Sequence, residues 1–143
     1  MKGAEQVRVF LDGRQVDAAG EESCIALSVT GQRFLRGESR YISYDDTGLI
    51  EGASVPTILR VGVSGIMLQR RGVVRYTQYF SSGEEYTGSY CTPYGTFFFK
   101  TETRRLCIRT FPDGREEVDI FFTLYVDGVR QSDNTLVIRI TPM

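Results

Sequence analysis

Arg70 has the clearest chemical task in this chain. In Ile66-Met67-Leu68-Gln69-Arg70 it shares a strand face with Ile66 and Leu68, because alternate residues of a strand point the same way. If those two apolar side chains face a core, the guanidinium faces it too, just ahead of Gly72. An inward cation needs a partner, since an unpaired buried charge is very costly. One candidate is the carboxylate or phosphate of a ligand, gripped by the bidentate fork. The other is an internal acid in a fixed salt bridge, with a side chain reaching solvent at a rim as a further variant. A bulge at Arg70-Arg71-Gly72 would turn the face over.

Tyr76, Gln78, Tyr90 and Tyr94 are expected at the same end as Arg70. Tyrosine joins an apolar body to a polar tip, which suits it to orienting a ligand. Ordinary core packing with satisfied hydroxyls is the competing expectation.

The remaining reactive residues narrow the chemistry. The chain has no histidine. A histidine-based serine or cysteine triad is therefore absent, together with the commonest metal ligand. Cys24, Cys91 and Cys107 have no close pairing of the zinc or redox kind. They read as buried or half-buried reduced thiols. Asp45-Asp46, Glu84-Glu85 and Glu116-Glu117 are adjacent acids. Strand neighbours point to opposite faces, so no such pair acts as one dyad, and they read as solvated surface. The basic doublets Arg70-Arg71 and Arg104-Arg105 are too short for a nucleic-acid stripe. No glycine cluster has the strand–loop–helix setting of a phosphate loop. No cofactor or metal site is expected, and an enzyme would have to rely on carboxylates, tyrosine, lysine or cysteine.

The elements that must hold these residues have a period of two almost throughout. Val7, Val9 and Leu11 alternate up to Asp12-Gly13, read as a turn. Ile25, Leu27 and Val29 alternate up to Gly31, also read as an ending. Residues 45–55 are irregular and are expected to form a loop or short helical turn across a barrel end. Residues 97–101 and 106–109 read as two strands or one long bent strand. Val118, Ile120, Phe122, Leu124 and Val126 keep strict alternation into Asp127-Gly128. Leu136, Ile138 and Ile140 return from it, a strong hairpin signal. About ten short strands with turns every 8–12 residues indicate a barrel or sandwich. Closure would remove the exposed sheet edges. The expected core is Ile25, Leu27, Leu68, Phe80, Ile120, Phe122, Leu124 and Ile138. Phe121, Tyr125 and part of Phe97-Phe98-Phe99 are left facing out, as a partner surface or beneath a cover formed by the first strand or a loop.

At 143 residues the chain reads as one domain, large enough to need no disulfide or metal staple. Seventeen basic and eighteen acidic residues give a net charge of −1, with no general pull toward nucleic acid or anionic lipid. The start Met1 to Gln6 is polar, and no segment has the apolar length of a membrane helix. The expectation is a soluble cytoplasmic protein without nucleic-acid or membrane partners.

Tyr44-Asp45-Asp46, Gly52, Arg70-Arg71-Gly72, Phe80, Thr92-Pro93-Tyr94-Gly95 and the hairpin from Phe122 to Asn134 resemble the YwiB-like bacterial family. The resemblance runs from about Ser23 to Thr141, and the Thr-Pro-Tyr-Gly block is its most specific part. It implies a small calycin-like (lipocalin-like) antiparallel β-barrel of eight to ten strands. It carries over no settled biochemical role. Two functions then stand open. One is a binding module that takes a small molecule, anionic and amphiphilic if Arg70 anchors it, in the barrel mouth. The other is a structural or interaction barrel with a filled interior that self-associates as a homodimer.

Overall fold

A computed structural model describes residues 4–49 and 51–143. The first three residues of the polar lead-in, and Ile50 of the irregular stretch, lie outside them. Ten strands follow one another: β1 (Glu5–Asp17), β2 (Glu22–Arg36), β3 (Ser39–Asp46), β4 (Val55–Val61), β5 (Ile66–Arg71), β6 (Arg75–Phe80), β7 (Glu85–Thr92), β8 (Gly95–Thr110), β9 (Glu116–Val126) and β10 (Val129–Pro142). Each strand lies beside its sequence neighbours, and β1 closes on β10. The result is the expected closed, antiparallel, up-and-down barrel. Among the described residues no helix is long and apolar enough to cross a membrane.

The turns follow the local chemistry. Asp127 and Gly128 both have positive φ, 50° and 81°, and join β9 to β10 at a tight hairpin tip. Such a turn matches the strand twist, and Asp-Gly tolerates its left-handed backbone. The stretch read as either two strands or one is a single strand, β8, with a register shift between Thr103 and Arg105. The irregular stretch runs from the end of β3 to the start of β4, and its described residues form no helix.

Two glycines read as strand ends lie within strands. Gly13 is inside β1, paired with Ile25 and Leu136, and the turn comes later at Ala18 to Gly20. Gly31 is inside β2 and faces inward, where a Cβ would stand 2.7 Å from the Ser43 carbonyl oxygen and 3.3 Å from the Tyr44 Cβ. It is glycine because the Ser43 backbone, the Val9 methyl and the Tyr44 Cβ approach too closely for a side chain.

Val7, Val9, Ile42, Leu59, Val61, Ile66, Phe80, Val118, Ile120, Ile138 and Ile140 form the centre of the core. Of the eight expected core residues, Leu68, Phe80, Ile120, Phe122 and Ile138 are buried. Leu27 and Leu124 are half-buried against the core. Ile25 is 52% exposed, contrary to expectation. Its face points inward, but residues 22–26 of β2 stand at the barrel's end, where little surrounds them. Cys24, the strand neighbour of Ile25, points outward and is exposed, contrary to the expected buried or half-buried thiol, while Cys91 and Cys107 are half-buried.

The two ends of the barrel differ. The end carrying the β2–β3 and β8–β9 turns is plugged by charge. Arg33 donates from Nε to Glu5 at 2.8 Å, and from Nη1 to the Gly114 carbonyl at 2.7 Å and Glu116 at 2.9 Å. Arg40 donates to the other oxygen of Glu116. Glu116 is 4% exposed, so one member of an acid pair read as surface is buried. It shares its face with Val118 and Ile120, and its charge is tolerated because two guanidinium groups meet it.

Candidate functional site

The opposite end carries the β1–β2, β3–β4, β5–β6, β7–β8 and β9–β10 turns and is open. Just inside it, four inward residues stand in register on neighbouring strands: Tyr44 with Thr57, Thr57 with Arg70, and Arg70 with Tyr76. Alternation from Ile66 and Leu68 carries Arg70 to the interior, where it is buried. Its Nη1 donates to Asp46 at 2.7 Å and to the Thr57 hydroxyl at 3.0 Å, and its Nε donates to the Tyr76 hydroxyl at 2.8 Å. Asp46 is buried as well, and its second oxygen accepts the Gly48 N–H at 2.8 Å. The partner of Arg70 is therefore an internal acid. Asp46 was read as solvated surface, yet it shares a face with Ile42 and Tyr44.

Burial opposes the charge on Arg70, but Tyr76, Tyr44 and Asp46 outweigh it and hold the guanidinium pKa above its usual value. Burial pushes the Tyr44 phenol well above the ordinary tyrosine range, against the opposing pull of Arg70. The Tyr44 hydroxyl is buried and has no hydrogen-bond partner among the described residues. Tyr90 is raised too, by burial first and Tyr76 second. These phenols stay neutral donors at physiological pH.

Above this polar row lies a cavity of about 470 Å³. Its wall is aromatic, with Tyr76, Tyr90, Phe97, Phe99 and Phe122, and Leu124 and Val126 extend it. Three carboxamides, Gln15, Gln78 and Asn134, complete the lining. Gln15 and Asn134 are cross-strand partners on β1 and β10. The Asn134 amide donates to the Ser132 hydroxyl at 2.9 Å. Phe99 reaches its place because Gly88 leaves room: a Cβ there would lie 3.0 Å from the ring. Arg70 lines a separate space of about 100 Å³ nearer the core, with Leu68 and Phe80.

Of the expected site residues, Tyr76, Gln78 and Tyr90 come together on the large cavity. Arg70 reaches it only through the Tyr76 hydroxyl. Tyr94 does not join them. It sits at the β7–β8 tip and is 94% exposed, because the Thr-Pro-Tyr-Gly turn carries it past the strand ends. Sequence reading missed Gln15, Asn134, Phe97 and Phe99 as lining residues. Their alternation with Leu136 on β10 and with buried Thr101 on β8 marks the correct face.

One side of this end has unusual construction. β6 and β7 share a single register pair, Arg75 with Cys91. Rings bridge the rest: Tyr76 lies against Tyr90 and Tyr79 against Tyr86, each with centroids 4.9 Å apart. Outside, Phe98 is 65% exposed and Phe121 39%. β1 does not cover them, since it lies between β10 and β2. Among the described residues no three Cys, Asp or Glu side chains gather so as to hold a metal ion.

The crystal structure of ywiB protein from Bacillus subtilis superposes with a TM-score of 0.87, covering 100% of this chain and 95% of that one at 20% identity, which establishes a shared fold. No curated protein matches. The family described as "Domain of unknown function (DUF1934)" matches residues 9–138. With that match spanning nearly the whole barrel and the YwiB fold reproduced along its full length, the chain belongs to the DUF1934, YwiB-like family.

Proposed function

We propose that this barrel is a binding module that takes one small, uncharged molecule in its open end. The observation that carries this reading is the cavity of about 470 Å³, walled by aromatics and set with a few polar groups. Such a combination is usual for small-molecule sites. At the other end Arg33 and Arg40 close on Glu116, away from this cavity.

The anionic ligand expected from Arg70 loses its support. Asp46 already neutralises that cation, and no described residue lining the large cavity is charged. An anion there would lose hydration without gaining a counter-charge.

Thermal melting with a panel of uncharged, metabolite-sized molecules tests the proposal. A ligand at a hundred times its Kd stabilises by about 2.7 kcal/mol. Leu124→Trp, which fills the cavity from β9, is expected to fold and to lose the shift. A panel without effect on the unmodified protein would overturn the reading. A second reading, self-association through the mouth, draws on the exposed Tyr94, Phe98 and Val129 on turns and strand ends of that rim. It predicts a concentration-dependent dimer by sedimentation that Phe98→Ser disperses.

A further inference from the structure

Resting on the binding reading above, we infer the ligand class: a planar, uncharged ring system with an amide- or imide-type edge, seated with that edge on Gln78. Gln78 is 9% exposed, in register with core residue Leu68 on β5. A leucine would suit the fold there. Its carboxamide opens onto the cavity rather than into the packed core, so its donors and acceptor are free to pair with a ligand. No described residue supplies a partner within hydrogen-bond distance, and the side chain lines the cavity. A carboxamide presents a donor beside an acceptor, which is the complement of a cyclic amide edge.

The rest of the lining favours a flat ligand. Tyr76 and Tyr90 flank Gln78 on the β6–β7 side, and Phe97, Phe99 and Phe122 continue the aromatic wall. Such surfaces stack on planar rings more specifically than on alkyl chains. Gln15 and Asn134 stand four to five places from β6 in the ten-strand ring, close to diametrically opposite. The Asn134 amide nitrogen is engaged by Ser132, which leaves its carbonyl oxygen to accept from the far edge of a ligand. The Tyr76 hydroxyl already accepts from Arg70, so its own proton is oriented to donate.

Three probes and two variants test this by fluorescence titration and calorimetry. 1,8-Naphthalimide is planar with an imide edge, acenaphthene is its hydrocarbon counterpart, and dodecanoate is an anionic chain. The expected result is that naphthalimide binds about tenfold more tightly than acenaphthene, the size of one to two good hydrogen bonds. Gln78→Leu should erase that difference while leaving acenaphthene binding intact. Gln78→Met reads out the same loss should the leucine variant fail to fold. If naphthalimide binds no better than acenaphthene, or the variants keep its advantage, the inferred class is wrong. If acenaphthene still binds in that case, the binding reading survives; if dodecanoate alone binds, the uncharged-ligand reading falls with the inferred class. If none of the three binds, the binding reading falls and the inference falls with it.

Discussion

Arg70 and Asp46 meet at 2.7 Å although their strands are not neighbours: β4 runs between them, and Arg70 reaches over Thr57 to make the contact. The pair therefore ties three strands together at the floor of the open end. Removing one partner strands a buried charge. Arg70→Met should destabilise by about 3–5 kcal/mol, as breaking buried pairs does. Arg70→Met with Asp46→Leu should recover most of that loss, because both charges then leave together. Urea unfolding of the single and double variants checks it. A single variant as stable as the parent would show that the pair is dispensable.

Phe122 and Ile25 separate burial from alternation. Both keep the inward rhythm of their strands, but Phe122 packs its ring 4.8 Å from Phe80 while Ile25 stands at the exposed end. Phe122→Ala should cost about 3 kcal/mol, the low end for aromatic truncation because it borders an existing cavity. Ile25→Ser should stay within about 0.5 kcal/mol. Thermal and chemical melting of the two variants should rank them in that order by a wide margin.

Gly31→Ala should destabilise by about 1–3 kcal/mol, the usual range for overpacking. The obstacle is the Ser43 carbonyl oxygen, which belongs to the backbone and cannot swing aside. Gly20→Asn, at an open turn with φ of 84°, should be nearly neutral and serves as the control. Equal losses at both positions would contradict the packing argument.

Tyr44 predicts an alkaline limit. Its folded pKa is raised by burial, so the folded state holds the phenolic proton more tightly than the unfolded chain does. That stabilisation is complete below the ordinary tyrosine pKa of about 10 and is lost as pH rises beyond it. Tyr90 and Tyr86 shift in the same direction and add to the slope. Tyr44→Phe should leave neutral stability equal or higher, since the hydroxyl has no partner, and should flatten the decline above pH 10. Unfolding free energies measured from neutral to strongly alkaline pH check both parts.

The fold was legible because alternation is a local property. Val118 to Val126 and Leu136 to Ile140 state their inward face without reference to anything distant. What alternation does not state is height along the barrel axis. Ile25 and Tyr94 failed for that reason: one faces inward at an end with few neighbours, and the other lies beyond the last paired residue. Glycine adds a second ambiguity. Gly31 and Gly20 look alike in sequence, but one makes room for Tyr44 and the other makes a turn. The polar partners were hidden by distance. Asp46 lies 24 residues before Arg70 and meets it across β4, while Glu116 lies 83 after Arg33 and meets it only when β1 closes on β10. Their own strands carried the clue, because each acid falls on the apolar beat of its strand.

The β6–β7 seam gives the barrel a clasp. Every other join is a backbone ladder, but this one is a single register pair fastened by the rings of Tyr76, Tyr79, Tyr86 and Tyr90. Unfastening rings breaks little cooperative hydrogen bonding, so this side should loosen first in native fluctuations. Deuterium should enter the β6 and β7 amides that face this seam well before those of β1, β9 and β10. The chain behaves as one continuous ten-strand sheet rolled up and buttoned shut, with the button beside the cavity.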